Sequence, residues 1–291
     1  MNLTSPSQVK SWCIENGFHP NKTLGQNFLI DQNALRAIVD SGLEKVEKAG
    51  GGGGRGVSVL EIGPGMGVLT EEMLRRGCVV TAIEKDPVLA ARLEKESKSK
   101  VEVEQWWKNL TLITGDALDV LSQSSPSTST LDFDLSSFDC MISNLPYQAG
   151  TRILLELVQD RSIPVITALV QTEVAERLAA GEGSKVRGLA GVWAQLDYDV
   201  EITRKVSASC FWPRPEIGSS VVRLVRHARN VDFSEEERLL FHRLTKKAFE
   251  HRRKQLGSIF KDMIQSTARA EELSNQDWIN LTKGLVKNED A

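Results

Sequence analysis

Residues 57–67 read Val-Ser-Val-Leu-Glu-Ile-Gly-Pro-Gly-Met-Gly, and this stretch decides the fold. The first six residues form an apolar run with the length of a buried strand. The glycines that follow let the backbone turn tightly and approach a ligand closely, where a strand passes into a helix. The spacing is Gly-x-Gly-x-Gly, whereas the dinucleotide fingerprint requires Gly-x-Gly-x-x-Gly. The motif therefore disfavours an NAD-dependent oxidoreductase.

The alternation of strand and helix continues on the C-terminal side of this motif. Five predicted strands are separated by helical stretches, at 57–62, 79–83, 110–113, 138–143 and 163–169. This order predicts a parallel sheet with right-handed crossovers. Two later extended runs, at 198–206 and 219–225, flank a proline-containing loop and predict an antiparallel edge hairpin. The expected fold is α/β and Rossmann-like.

Composition predicts a globular chain: 41% of the 291 residues are hydrophobic, which is enough to bury a core. No window approaches the length of an apolar membrane span, and the N-terminus lacks the apolar core of a secretory signal, so we expect a cytoplasmic protein without a membrane partner. The four cysteines lie far apart in the sequence, so no Cys-x-x-Cys zinc site and no metal are predicted. The glycine run 50–54 and the Ser/Thr-rich stretch 122–130 are interpreted as inserted loops.

Positive charge is concentrated near the C-terminus. The formal net charge of the chain is −3, yet residues 243–261 hold seven Lys and Arg against a single Glu. Such a surface suits a polyanion, although the same pattern also fits a solvated helix face. From Ser234 onward the apolar spacing is helical. We therefore predict a first domain over residues 1–228 and a small all-α domain over residues 229–291.

Two acidic residues follow the second and third predicted strands. Glu84 comes 21 residues after Gly63, and Asp116 follows the strand at 110–113. Because the carboxyl ends of parallel strands meet at one edge of the sheet, both acids are expected near the glycine loop. Glu84 can accept hydrogen bonds from ribose hydroxyls, and Asp116 can accept one from the amino group of adenine. Together they predict a ligand that contains adenosine.

The fourth predicted strand ends at Asn144-Leu145-Pro146-Tyr147, a turn suited to methylation of the amino group on a planar base. That amine is a poor nucleophile because its lone pair is delocalised into the ring. The Asn144 side-chain oxygen and the Leu145 carbonyl can accept its two N–H groups and favour sp³ geometry. Pro146 fixes the turn without an N–H of its own, and Tyr147 can stack on the base. Positioning would then be the main catalytic contribution.

The chain resembles the ribosomal RNA adenine dimethyltransferase family, in particular the bacterial small-subunit type linked to kasugamycin sensitivity. The resemblance covers about residues 23–259. The blocks that carry it are Gly25-Gln26-Asn27-Phe28-Leu29, residues 61–67, Gly115-Asp116-Ala117, Asn144-Leu145-Pro146-Tyr147, and Pro213-Arg214-Pro215 with Ser219-Ser220-Val221-Val222. The first block is the most specific, because general methyltransferases lack it. Gln148 departs from the asparagine that is common in the family.

The resemblance implies a class I methyltransferase domain that binds S-adenosyl-L-methionine. The residues it assigns to the cofactor are Asn27, Leu29, Gly63, Gly65, Glu84, Asp116 and Asn144. The implied reaction dimethylates two adjacent adenosines in a hairpin loop near the 3′ end of small-subunit rRNA, within an immature ribosomal subunit. Phe211 is expected to form the second face of the base sandwich, and a monomer is expected. The residues predicted to contact RNA are Arg214, Arg243, Lys246, Lys247, Arg252, Arg253 and Lys254, with Arg187 as a further candidate.

Three other functions stay open at this point besides the oxidoreductase. A DNA adenine methyltransferase more often carries Asp- or Asn-Pro-Pro-Tyr and lacks the Gly25 block. The macrolide-resistance type, which methylates large-subunit rRNA, usually has Ile at the position of Leu145. A non-catalytic ribosome assembly factor could use the same scaffold, although intact Glu84, Asp116 and Asn144 argue against it.

Overall fold

The computed structural model describes residues 1–21, 24–48, 56–123, 133–227 and 232–289. The glycine run, most of the Ser/Thr-rich stretch and part of the predicted domain boundary lie outside the described residues. Within the described residues the strands are β1 (Phe28–Leu29), β2 (Ser58–Ile62), β3 (Val79–Glu84), β4 (Leu110–Thr114), β5 (Cys140–Asn144), β6 (Val165–Gln171), β7 (Tyr198–Val206), β8 (Phe211–Trp212) and β9 (Ser219–Arg226).

The helices alternate with these strands and then continue to the C-terminus. They are α1 (Pro6–Glu15), α2 (Gln32–Lys48), α3 (Val68–Arg75), α4 (Pro87–Lys100), α5 (Ala117–Gln123), α6 (Gly150–Asp160), α7 (Thr172–Ala179), α8 (Leu189–Asp197), α9 (Glu235–Glu250), α10 (Leu256–Phe260) and α11 (Asn275–Glu289). None of the helices in the described ranges is both long enough and apolar enough to cross a membrane.

Seven strands form one sheet in the order β4-β3-β2-β5-β6-β9-β7. The strands from β4 to β6 pair in parallel, whereas β9 pairs antiparallel with β6. The sheet centre is apolar on both faces, because Val59, Leu60 and Ile142 are each fully buried. Central parallel strands covered on both faces have this pattern. The predicted Rossmann-like α/β fold is confirmed.

The chain divides into two compact units. Unit 1 comprises Met1–Thr172 and Glu201–Arg226, and unit 2 comprises Glu173–Val200 and His227–Ala291. The sequence prediction placed residues 173–200 in the first domain, so the observed division differs from it there. The physical reason is packing: Val192 and Leu196 of α8 are buried in one apolar cluster with Phe241 and Leu244 of α9.

The N-terminal region contains elements that the sequence did not reveal. Helix α1 buries only Val9 and Cys13, so its apolar periodicity is too weak to predict a helix. Strand β1 pairs antiparallel with β8, matching Phe28 with Trp212 and Leu29 with Phe211. This two-stranded ribbon joins the Gly25 block to the proline-containing loop near the end of unit 1.

Gly191 in α8 provides a test of the packing inside unit 2. A Cβ atom there would lie 2.5 Å from the Arg177 carbonyl oxygen, and backbone cannot give way as a flexible side chain can. We expect Gly191→Ala to lower the free energy of unfolding of unit 2 by about 1–3 kcal/mol, as overpacking does. Chemical denaturation followed by circular dichroism measures the change.

Gly284→Ala in α11 is the matched control, because an added Cβ there meets nothing within 4 Å. Replacing a helical glycine by alanine at an open position stabilises by about 1 kcal/mol. If Gly191→Ala were as stable as Gly284→Ala, the described packing of α8 would be incorrect.

Candidate active site

A cavity of about 340 Å³ lies in unit 1 at the carboxyl ends of strands β2 to β5. Its walls are the N-terminal segment 24–29, the glycine loop after β2, and the turns that follow β3, β4 and β5. Ligands of open α/β sheets bind at this edge. All of the predicted cofactor residues line the cavity: Asn27, Leu29, Gly63, Gly65, Glu84, Asp116 and Asn144.

The glycine loop is held in a conformation that requires glycine. Gly63, Gly65 and Gly67 have φ values of +70°, +57° and +82°, which other residues rarely adopt. The Gly63 N–H donates to the Ile83 carbonyl at 2.9 Å, and the Gly67 N–H donates to the Pro64 carbonyl at 2.8 Å. The loop is thus fastened to the end of β3 and to itself.

Glu84 holds the glycine loop from the end of β3. Its two carboxylate oxygens accept from the N–H of Gly65 at 2.9 Å and from the N–H of Asp86 at 2.8 Å. The side chain is buried, and burial raises the pKa of Glu84 although both N–H groups oppose the shift. Glu84 lines the cavity. Each of its carboxylate oxygens has a further lone pair, which can accept a hydrogen bond from a hydroxyl group of a bound ligand.

Asp116 has a partner that the sequence analysis missed. Lys85 donates to its Oδ2 at 2.6 Å, and the Leu118 N–H donates to its Oδ1 at 2.9 Å. The hydrogen bond from Lys85 is the main reason that the pKa of Asp116 is lowered. The carboxylate is therefore ionised and oriented. Lys85 also lines the cavity, and its position next to Glu84 in the sequence was the available signal.

Glu61 is the most perturbed acid in the cavity wall. It is 1% exposed, and its Oε2 accepts from the Thr70 hydroxyl at 2.6 Å. Burial raises the pKa of Glu61 to about 8, and the nearby carboxylate of Glu84 adds to the shift. At neutral pH this side chain is therefore mostly protonated.

Asn144 is oriented by the N-terminal segment. Its Nδ2 donates to the main-chain carbonyl of Asn27 at 3.1 Å, which leaves Oδ1 as the acceptor end of the amide. Before it, the Ser143 hydroxyl accepts from the Ile62 N–H at 2.8 Å. After it, the Leu145 N–H donates to the Leu169 carbonyl at 3.1 Å. The residue is therefore fixed on both sides by neighbouring strands.

The rest of the turn is equally constrained. The Tyr147 hydroxyl and the Ser219 hydroxyl are 2.6 Å apart, and burial raises the pKa of Tyr147, so its phenol stays neutral. Gly25 has φ +65°, and a Cβ atom there would lie 2.9 Å from the Tyr147 backbone nitrogen. Tyr147 and Pro146 both line the cavity. The Gly25 block thus packs directly on the turn after β5.

Phe211 lies elsewhere than expected. It is 2% exposed and belongs to the main apolar core of unit 1, and it is not among the residues that line the cavity within the described part of the chain. Pairing of β8 with β1 directs it inward opposite Leu29. The prediction that Phe211 covers one face of a base is corrected accordingly. Phe28, which the sequence analysis left without a role, lines the cavity and stacks on Trp212 at 6.4 Å.

The predicted RNA-contacting residues divide between the two units. Arg214 is exposed in unit 1. Of the predicted residues in unit 2, the exposed ones are Arg243, Lys246, Lys247, Arg253 and Lys254. Arg252 is only half-exposed, donates to the Lys185 carbonyl and lies 3.6 Å from Glu271. Arg187 is 2% exposed and donates to Asn275 at 2.6 Å, so its expected surface role is wrong.

Comparison with solved structures identifies the class of fold. The crystal structure of a dimethyladenosine transferase from Plasmodium falciparum matches with a TM-score of 0.70, 20% identity, and coverage of 90% of this chain and 98% of that chain. The crystal structure of the 23S rRNA methyltransferase ErmE matches with a TM-score of 0.60 and 22% identity. The match covers 89% of this chain and 100% of that chain. The chain therefore shares the fold of these two methyltransferases.

The chain belongs to the ribosomal RNA adenine dimethylase family, whose model matches residues 17–289. The small-subunit methyltransferase A of Deinococcus radiodurans is 39% identical over 226 residues, 76% of this chain and 67% of that protein. The protein of that name from Mycobacterium tuberculosis is 37% identical over 78% of this chain and 66% of its own length. The protein of that name from Rhodococcus erythropolis is 34% identical over 92% of this chain and 84% of its own length. The match thus spans about two thirds of the length of the first two relatives.

The buried acid at position 61 predicts a pH-dependent stability. Because the pKa of Glu61 is raised from 4.5 to about 8 in the folded chain, its contribution to stability is fully present below pH 4.5 and declines as pH rises to about 8. Glu61→Gln cannot titrate. We therefore expect the difference in the free energy of unfolding, variant minus wild type, to increase as pH rises from 4.5 to about 8. The increase is about 1.4 kcal/mol per pH unit at most.

Urea denaturation at pH 5.5 and pH 8.5 measures this difference. Glu15→Gln, at an exposed position on α1, controls for the loss of a surface carboxylate. A constant difference between Glu61→Gln and the wild type at both pH values would show that Glu61 is ionised throughout.

Proposed function

We propose that the protein transfers methyl groups from S-adenosyl-L-methionine to the 6-amino groups of two adjacent adenosines in a hairpin loop near the 3′ end of small-subunit rRNA. Membership of the adenine dimethylase family supports this chemistry. The small-subunit substrate is supported by relatives of 34–39% identity that carry that name. The 23S rRNA methyltransferase ErmE is only 22% identical to this chain. That likeness reflects a shared fold and gives no support for a large-subunit rRNA substrate.

The observation that carries the proposal is the anchored Asn144. Its Nδ2 is occupied by the Asn27 carbonyl at 3.1 Å, and the residue lines the cavity together with Leu145 and Tyr147. The amide therefore offers Oδ1 as a preorganised acceptor at the position where a planar amine must be held. Preorganised dipoles of this kind stabilise charge that develops during reaction.

The cavity fits S-adenosyl-L-methionine by its donor and acceptor set. Glu84 supplies a fixed carboxylate for the ribose hydroxyls, and Asp116 supplies one for the adenine amino group. Gly63 and Gly65 expose backbone to the methionine part, and Asn27 and Leu29 close the wall formed by the N-terminal segment. When bound, this cofactor supplies a methyl group on a sulfonium.

The chain's own residues orient the base and exclude water. Oδ1 of Asn144 and the Leu145 carbonyl accept the two amine N–H groups and free the nitrogen lone pair. Tyr147, fixed through Ser219 at 2.6 Å, stacks on the base. The proton leaves after transfer, so no strong base is required beforehand. An unstacked loop adenine costs little to extrude, which suits a hairpin target.

Arg214 of unit 1 and the five exposed predicted residues of unit 2 (Arg243, Lys246, Lys247, Arg253 and Lys254) are proposed to bind the phosphate backbone. Arg252 can contribute only in part, because the Lys185 carbonyl and Glu271 already engage it. We further propose that the protein acts in the cytoplasm, as a monomer, on an immature ribosomal subunit.

Asn144→Ala tests the chemical step. We expect kcat to fall by about 10²–10³-fold, as for loss of one preorganised group, while binding to small subunits is retained. Undermodified small subunits are incubated with labelled S-adenosylmethionine, and the digested RNA is analysed for dimethyladenosine.

Asn33→Ala, at an exposed position of α2, serves as the control and should methylate normally. Label recovered in protein or in DNA would overturn the proposed substrate. Full methylation by Asn144→Ala would overturn the role of the turn.

The double variant Lys246→Ala/Arg253→Ala tests the RNA surface. Each lost contact to single-stranded phosphate reduces the slope of log K against log salt by about 0.7, so we expect a reduction of about 1.4. Binding to subunits is measured over a salt series. The double variant Lys10→Ala/Arg36→Ala removes the same charge from exposed positions of unit 1 and should keep the wild-type slope. Equal slopes for the two double variants would exclude this surface.

A further inference from the structure

Among the hydrogen bonds that hold the glycine loop, one comes from a side chain that does not line the cavity. Three left-handed glycines give the isolated loop many alternative conformations. The Gly65 N–H is held by Glu84 at 2.9 Å, and the Gly67 N–H is held by Pro64 at 2.8 Å. The carbonyl of the Met66–Gly67 peptide accepts from Nη1 of Arg92 at 2.7 Å.

Arg92 is a buried cation on α4. Its side chain is 7% exposed, and burial lowers the pKa of Arg92 despite the nearby carboxylate of Glu96. Nη2 donates to Glu96 at 2.7 Å. Nε has no hydrogen-bond partner within the part of the chain that the structure describes. Burying a guanidinium costs free energy of desolvation. The contacts that Arg92 makes in the folded chain must offset this cost.

The ion pair with Glu96 offsets part of the cost of burying Arg92, but Glu96 does not depend on it. Glu96 is also held by Lys100 at 2.8 Å, and the hydrogen bond from Lys100 is the strongest of the effects that lower the pKa of Glu96. Glu96 therefore keeps a cationic partner without Arg92. The contact that no other side chain replaces is the one to the Met66 carbonyl.

Helix α1 completes the arrangement. The Arg92 guanidinium lies over the Trp12 ring at 5.5 Å. Residues of α1 share an apolar cluster with Phe28, Met66 and Leu89, all of which line the cavity. By covering the guanidinium, Trp12 excludes water from the bond to Met66 and strengthens it.

We propose that Arg92 is a positioning residue for the cofactor, holding the Met66–Gly67 peptide in its binding orientation, and that α1 supports it through Trp12. This inference rests on the proposed cofactor. If the glycine loop adopts its binding conformation only part of the time, the apparent Kd for the cofactor equals the intrinsic Kd divided by that fraction. Arg92 therefore acts on affinity for the cofactor rather than on the transfer step.

Calorimetric titration with S-adenosylhomocysteine tests the proposal on the full chain. We expect Arg92→Met to raise Kd about tenfold, the equivalent of one charge-assisted hydrogen bond. KM for S-adenosylmethionine should rise in parallel, and kcat at saturation should stay within about twofold. Arg92→Lys, which retains one donor, should restore part of the affinity.

Glu96→Gln is the matched control, because it removes the ion pair and leaves the bond to Met66 intact. Its Kd should equal that of the wild type. Trp12→Leu should raise Kd in the wild-type background and add nothing in the Arg92→Met background, since the two residues act on one contact.

The possible failures are distinguishable. If Arg92→Met bound S-adenosylhomocysteine as tightly as the wild type, or no more weakly than Glu96→Gln, Arg92 would be a structural residue only and the inference would be wrong. If the wild type itself did not bind S-adenosylhomocysteine, the proposed cofactor would be refuted and this inference with it.

Discussion

The contact between the Asn27 carbonyl and the Asn144 amide is the constraint on which the rest of the site depends. It joins two segments separated by 117 positions, and it decides which end of the amide faces the cavity. Gly25 packs on Tyr147 from the same segment, and β1, which begins three residues after Gly25, pairs with β8. The site is therefore built where the N-terminal segment packs against the carboxyl edge of the parallel sheet.

The three acids of the cavity, Glu61, Glu84 and Asp116, differ in charge state because their immediate surroundings differ. Asp116 is ionised beside Lys85, whereas Glu61 is fully buried and holds a proton near neutral pH. Glu84 lies between these cases, because hydrogen bonds from backbone N–H groups partly compensate for its desolvation. One sheet edge thus presents a charged acceptor, a neutral acid and a backbone-fixed carboxyl group within the same cavity.

The elements that the sequence predicted well are those with strong local signals. The strands at 57–62 and 79–83 are mostly apolar runs, and the closely spaced glycines that follow the first of them mark the loop between strand and helix. Glu84, Asp116 and Asn144 stand at the ends of the second, third and fourth predicted strands, so their convergence on the cavity could be derived from sheet topology alone.

What could not be predicted depends on contacts between distant segments. Whether Phe211 faces a ligand or the core is decided by its pairing with Leu29, and a strand of two residues has no periodicity to detect. Likewise, the apolar spacing of α8 shows that it is buried but not that its partner is α9. Arg92 and Arg187 were indistinguishable from surface cations in the sequence, since only the fold buries them.

The β1–β8 ribbon has a consequence for the way the protein is made. Phe28 leaves the ribosome early, but its partner Trp212 follows 184 residues later. The Rossmann-like sheet can form its parallel pairs from β2 to β6 before that point, whereas Phe28 and Leu29, which line the cavity, have no partner strand until β8 is synthesised. Because chains fold as they emerge from the N-terminus, the pocket is completed only after most of unit 1 has already folded.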